Sequence, residues 1–288
     1  MKKALSLFFV GIFLLSGCTS LNFTRKGGKS LDRGEYFFIR GMNHYQKGNR
    51  DKAMEEYLKA YEKTPKNLTL LKEIGLLYGE KNNIDNSILF FEKSYKLDDK
   101  DMEILKNLSY LYYLKKDYKK SQDYLEKVIN MGNSHDIFVL KMKGYIASAN
   151  GDDNEAYQYL APIDEGDYDK KYFEEILKVY INLDKKNELY EKFLNIYEKY
   201  SDEKDYILQY THLESNIFSN HEKAIKTLLQ HISLYGGDDD LYLALADIYI
   251  KNNNHEKARM SFLLVSKSKS HRKDYIEMKN LLEKNNSK

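Results

Sequence analysis

The sequence predicts an all-α protein built as a solenoid of helix-turn-helix units. Three observations carry that prediction. A period of about 34 residues recurs seven times between Gly34 and Leu264. The 288 residues include only 2 Pro and 15 Gly, too few for a sandwich or barrel with many tight turns. Hydrophobic residues make up 42% and charged residues 31%, enough to fold and not the signature of a disordered chain.

The period is read position by position. With units starting at Gly34, Leu68, Met102, Ile137, Lys170, Asp205 and Asp239, the spacings are 34, 34, 35, 33, 35 and 34. Position 4 holds Phe37, Leu71, Leu105, Leu140, Phe173, Leu208 and Tyr242. Position 24 holds Tyr57, Phe91, Leu125, Leu160, Phe193, Leu228 and Phe262. Position 20 is small in six of seven units: Ala53, Ser87, Ser121, Ala156, Ala224 and Ala258, against Leu189. Position 8 is Gly41, Gly75, Ser109 and Gly144, then Leu177, His212 and Ala246. Tyr78, Tyr112, Tyr180 and Tyr249 recur at position 11.

Each unit reads as two helices of roughly thirteen residues, A and B, joined by a polar turn. Gly48-Asn49, Asn82-Asn83 and Asn253-Asn254 supply turn residues that tolerate a left-handed backbone. Small residues at 8 and 20 let the two helices approach, and large ones at 4, 11 and 24 fill the spaces between units. One such pair cannot bury its apolar face alone, so neighbours must stack. This pattern resembles the tetratricopeptide repeat (TPR), which implies a right-handed superhelix of seven repeats over 34–272. Pro162 should end the B helix of unit 4 early, because it lacks a donor and clashes with the preceding turn. A bend or a division into 34–161 and 170–288 is expected near 162–169, where Asp164-Glu165-Gly166-Asp167 follow. The segment 273–288 reads as a capping helix and tail, with Tyr275, Met278 and Leu282 inward.

The N-terminus has a different logic. Lys2 and Lys3 precede the apolar run Ala4 to Leu15. Twelve helical residues rise about 18 Å, short of a hydrocarbon core of about 30 Å, so residues 1–17 read as a signal peptide. Leu15-Ser16-Gly17-Cys18 resembles the lipobox of bacterial lipoproteins, and Cys18 is the single cysteine of the chain. The resemblance implies cleavage before Cys18, lipid attachment there (palmitate and diacylglycerol chains), and location at the cell envelope. Thr19 after the cysteine implies the periplasmic face of the outer membrane in an organism with two membranes. An ordinary secretory signal with an incidental Cys remains the alternative. Residues 18–33 then read as the lipidated Cys and a tether.

Several chemistries are not supported by the sequence. One Cys allows neither an intramolecular disulfide nor a Cys-rich zinc site. The seven His show no HExxH motif. Gly28-Lys29-Ser30 lacks the upstream Gly of a phosphate-binding loop. No cofactor, no metal and no catalytic residue is expected, and a formal charge of +2 argues against a nucleic-acid binder. The expectation is a non-enzyme.

The TPR resemblance implies a concave wall lined by helix A positions 2, 5, 9, 12 and 13. Position 5 gives Lys72, Lys106 and Lys141, and position 9 gives Met42, Leu76, Tyr110 and Tyr145. Position 12 adds Tyr45 and Tyr113. Lys beside Tyr and aliphatic residues would suit a peptide or protein partner. The plainer reading is that position 9 packs on neighbouring A helices and position 5 is solvated. Lys106 and Asn107 are fragments of the carboxylate clamp of chaperone-binding relatives; the rest of that set is missing. Three functions stay open: a membrane-anchored scaffold in envelope complex assembly, an adaptor for a cell-wall hydrolase or protease, and a saccharide or peptidoglycan binder.

Overall fold

The computed structural model describes residues 32–163, 169–266 and 270–284. Cys18, the signal segment and the tether up to residue 31 lie outside the described residues, as do 164–168 of the expected bend. Among the described residues there are fifteen α-helices and no strand. Repeat 1 is α1 (Arg33–Gln46) and α2 (Arg50–Lys63); repeat 2 is α3 (Leu68–Glu80) and α4 (Ile84–Tyr95). Repeat 3 is α5 (Met102–Leu114) and α6 (Tyr118–Asn130); repeat 4 is α7 (Ile137–Asn150) and α8 (Asp153–Leu160). Then follow α9 (Lys170–Asn182) and α10 (Lys186–Lys199), α11 (Lys204–Asn216) and α12 (His221–Tyr235), and α13 (Asp239–Lys251) and α14 (His255–Leu263). The last helix, α15 (Lys273–Lys284), packs on α13 and α14 with Met278 and Leu282 buried and Tyr275 against Phe262.

Every A–B turn uses one device. Position 15 has positive φ in all seven repeats: Gly48, Asn82, Lys116, Gly151, Asp184, Ser219 and Asn253. The next amide closes the end of helix A, as in Asn83 N–H to Tyr78 O at 2.9 Å and Asn254 N–H to Tyr249 O at 2.8 Å. This is the Schellman closure, which satisfies carbonyls the helix leaves open. Side chains then cap the following helix: Asn83 accepts from Asn86 N–H and Asp117 from Lys120 N–H. Lys116 and Ser219 show that the position is set by the fold, since neither residue favours the left-handed region.

Position 8 is small because position 24 of the same repeat lies on it. A Cβ added at Gly75 would stand 2.8 Å from the Phe91 ring, and Gly41 and Gly144 meet Tyr57 and Leu160 in the same way. Where position 8 is Ser109, it trades hydrogen bonds with Ser121 at position 20 (3.0 and 2.8 Å). In repeat 6 the inward residue is Thr211, 1% exposed, and not His212, which is exposed. The turn there carries one extra residue before Ser219, so Asn220 N–H reaches back to Glu214 O and the A helix sits one residue earlier. The 34-residue numbering cannot detect that slip, because the repeat spacing absorbs it.

The chain divides into two compact units, residues up to Val179 and from Tyr180 onward. The division falls inside repeat 5, later than the expected 162–169; this is the repeat with Leu at both position 8 and position 20. Pro162 does follow a short helix: α8 is eight residues long and ends at Leu160. No helix among the described residues is long and apolar enough to cross a membrane.

Candidate functional site: the A-helix face

The expected lysine ladder exists, but its charges are spent inside the protein. Lys72 Nζ reaches Asp101 Oδ2 at 3.0 Å and also pairs with Glu103. Lys106 reaches Asp136 at 2.5 Å, and Lys141 reaches Asp169 at 2.6 Å. Each aspartate is the N-cap of the next A helix. Its other oxygen accepts backbone hydrogens: Asp101 from Glu103 N–H, Asp136 from Phe138 N–H, Asp169 from Tyr172 N–H. One carboxylate thus caps a helix and binds the cation of the preceding repeat. Burial deepens along the series, from 18% side-chain exposure at Lys72 to 10% at Lys106 and 2% at Lys141. At Lys72 burial pushes the pKa down, but the bonds to Glu103 and Asp101 win and hold it raised.

The tyrosines are inside the packing as well. Tyr110, Tyr113 and Tyr145 are 2%, 8% and 1% exposed. Tyr110 stacks on Tyr113 at 6.3 Å between centroids, and Tyr113 leans on Tyr145 at 5.9 Å. Behind them lies a buried carboxylate, Glu175. It accepts from Tyr113 OH (3.2 Å), Ser148 Oγ (2.9 Å) and Lys171 Nζ (2.6 Å). Burial alone would raise its pKa; Lys171, Ser148 and Lys178 reverse the sign and keep it ionised. Lys106, Lys141, Tyr110, Tyr113 and Tyr145 are therefore structural members and not an open lining. The physical reason is close packing of successive A helices, of which α5 on α7 is one instance. Leu76 is also buried, whereas Met42 and Lys72 remain half-buried.

Half-buried residues remain on this face in repeats 1 and 2, one of which was not foreseen, and Glu174 and Lys178 are exposed on it in repeat 5. Glu73, half-buried on α3, makes no ion pair among the described residues. Burial, then the charges of Glu103 and Glu80, push its carboxyl up to about 7, against a small pull from Lys72. Glu80 is already engaged by Tyr45 OH and by Arg50 at 2.7 Å. Position 6 is Glu only at Glu73 and Glu175, against Ile39, Asn107, Met142, Tyr210 and Ala244, so the pattern gave only a faint signal for Glu73. Among the described residues no group of three or more His, Cys, Asp or Glu could hold a metal ion.

The tetratricopeptide repeat family model matches residues 34–67, 73–101, 103–133 and 239–271. The chain carries TPR repeats. Repeats 4 to 6 lie outside the matched ranges, and they contain Pro162, Leu177, Leu189 and the slipped register of repeat 6. A TPR protein from Parabacteroides merdae ATCC 43184 is similar in fold, with TM-score 0.62 and 16% identity. That likeness covers 87% of this chain and 98% of the other. A chain of the APC/C hetero-tetramer Cut9-Hcn1 has TM-score 0.53 and 15% identity over 84% of this chain and 47% of its own. The type IV pilus biogenesis factor PilW has TM-score 0.44 and 11% identity, over 86% and 99% of the two chains, a likeness too low to carry weight. No curated protein matches the sequence.

Proposed function

We propose that the protein is a non-catalytic scaffold, held at the bacterial cell envelope by lipid on Cys18, that binds a protein partner on the A-helix face of repeats 1 and 2. The carrying observation is the TPR-like fold itself. Most of its recurring positions are committed to stacking; in repeats 1 and 2 Met42, the ion-paired Lys72 and Glu73, which makes no ion pair among the described residues, stay half-buried, and in repeat 5 Glu174 and Lys178 are exposed. A desolvated carboxyl held near 7 favours a partner that brings a cation, because the cation restores the charge that burial suppresses. The partner class is thus a peptide or protein segment carrying Lys or Arg beside apolar side chains. Assembly of an envelope complex is the role that a lipid-anchored scaffold of this design would serve, on the outer membrane if Thr19 is read by a two-membrane cell.

The test is photocrosslinking in cells from Met42 of the full-length protein, with Lys127, exposed on α6, as control. A discrete protein adduct from Met42 and none from Lys127 is the expected result. Adducts from Lys127 alone would overturn the A-face assignment. Labelling with an alkyne fatty acid, lost in Cys18→Ala, is expected; an unlabelled parent protein would remove the anchor.

A further inference from the structure

Three positions meet where one early repeat stacks on the next: 28 of the first, and 11 and 23 of the second. At the junction of repeats 1 and 2 they are Tyr61, Tyr78 and Phe90. Phe90 lies 5.3 Å from Tyr61 and 5.6 Å from Tyr78 between ring centroids. At the junction of repeats 2 and 3 they are Tyr95, Tyr112 and Tyr124. Tyr124 lies 5.4 Å from Tyr95 and 5.7 Å from Tyr112, nearly parallel to the latter. One carboxylate ties that second trio together: Glu92, at position 25, accepts from Tyr112 OH at 2.9 Å and from Tyr124 OH at 2.8 Å. Repeats 6 and 7 place Ser215 and Ser261 at two of these positions, so the comparison belongs to the first compact unit.

The junction of repeats 3 and 4 keeps this frame with two rings missing. Its three residues are Ile129, Ala147 and Tyr159, and all line a hollow of about 200 Å³ between α6, α7 and α8. Leu125, Ile146 and Ala147 form the floor, each at most 4% exposed. A cavity of roughly 150 Å³ holds a benzene ring, so the space admits one aromatic side chain. Glu126 occupies position 25, as Glu92 does one repeat earlier. It lines the hollow, is exposed, and receives no tyrosine hydroxyl among the described residues. Lys143 lies over the Tyr159 ring at 5.1 Å, as Lys127 lies over Tyr124 at 4.8 Å.

We propose that this hollow receives one tyrosine side chain of a protein partner. The ring would lie on Ala147 against Tyr159, the place Tyr112 takes in the preceding junction, and the hydroxyl would donate to Glu126. Aromatic pairs of this kind add to the gain from burial, and the phenol supplies the donor that Glu126 lacks. The charged residues of the lining are Glu126, Glu155 and Lys143, one negative charge in excess. That suits a neutral phenol and repels a phosphorylated one. The hollow includes neither Met42 nor Glu73, so this site can fail while the A-face reading stands, and the reverse. Lys127 turns to Tyr95 on α4 and does not line the hollow.

The test titrates the full-length chain with N-acetyl-tyrosinamide, its phosphorylated form and N-acetyl-phenylalaninamide, reading the methyl resonances of Ala147 and Ile129. Saturating shifts are expected with the tyrosine probe, at an affinity about tenfold above that of the phenylalanine probe, and none with the phosphorylated one. Ala147→Tyr supplies the missing ring from within and should abolish binding. If that variant loses helical signal, Glu126→Ala decides, since the position is exposed. It should bring the tyrosine probe down to the affinity of the phenylalanine probe. A parent without saturating shifts overturns the inference, including the case in which binding emerges only in Tyr168→Ala and the chain's own residue fills the space. Equal affinity for the tyrosine and phenylalanine probes overturns it as well. So does equal binding of the phosphorylated probe, or a tyrosine probe indifferent to Glu126→Ala.

Discussion

Repeats 2, 3 and 4 tie to their successors through Lys72, Lys106 and Lys141, each bound to the aspartate capping the next A helix. Repeats 5, 6 and 7 carry Glu174, Gln209 and Leu243 at that position, and the later unit is tied differently. There, Lys204 bridges Asp238 and Asp240, and Arg272 bridges Asp240 and Asp274, along the N-terminal ends of α11, α13 and α15. Burial separates the two solutions: the Lys141 side chain is 2% exposed, those of Lys204 and Arg272 24% and 27%. A buried pair punishes the loss of one partner heavily, while a solvated one is screened and replaceable. The comparison teaches that one helix-capping aspartate can serve as a deep clamp or a surface rung, depending on where the cation enters.

The largest expected effect tests the deep clamp. Lys141→Ala should cost about 3–5 kcal/mol in urea unfolding, because Asp169 keeps its charge without its partner. A loss below about 1 kcal/mol would mean that water reaches the pair. Gly75→Ala comes next. Its Cβ would meet the Phe91 ring, and overpacking of that kind costs about 1–3 kcal/mol. The matching residue of repeat 7 is already Ala246, so Ala246→Gly should cost about 1 kcal/mol or less, as a glycine within a helix.

Smaller effects sharpen the surface side. Lys116 sits at φ 63° in the turn of repeat 3, so Lys116→Gly should stabilise by about 1 kcal/mol through relief of the left-handed backbone. No gain would show that the Lys side chain, and not the backbone, is what matters there. Arg272→Ala should cost about 1 kcal/mol or less, and the cost should vanish in roughly 1 M salt, while that of Lys141→Ala persists. Equal salt dependence of the two would erase the distinction between clamp and rung.

The last test is a pH slope. Glu73 is raised from 4.5 to about 7 by burial and by Glu103 and Glu80. The folded state therefore holds a proton that the unfolded state has released across that window, and stability falls as pH rises through it. Glu73→Gln should remove that part of the slope between pH 4.5 and about 7. An unchanged slope would assign it to other carboxylates.

Much of the fold was legible because it repeats. The starts read at Leu68, Met102, Ile137, Lys170 and Asp239 coincide with those of α3, α5, α7, α9 and α13. Periodicity reports which face of a helix is apolar, and seven copies average out local noise. The candidate site was much less legible. Lys106, Lys141, Tyr110 and Tyr145 occupy the positions that the TPR resemblance assigns to an open wall, yet they are buried. Asp136 and Asp169, the partners of Lys106 and Lys141, stand 30 and 28 residues away, and Glu175 stands 62 residues from Tyr113, where no local pattern links them. Glu73 escaped because its perturbation comes from burial and two distant carboxylates.

By itself the sequence determined the helical hairpins, their period, the small-against-large contact of positions 8 and 24, and the cap after Leu263. These follow from side-chain size and polarity at fixed spacing, which local helix geometry turns into faces. Tertiary structure alone decided which lysines are free, which tyrosines are core, and that repeat 6 presents Thr211 inward in place of His212. Those outcomes depend on how closely neighbouring helices approach, and so on desolvation and on which charges meet, quantities that a spacing of residues does not contain.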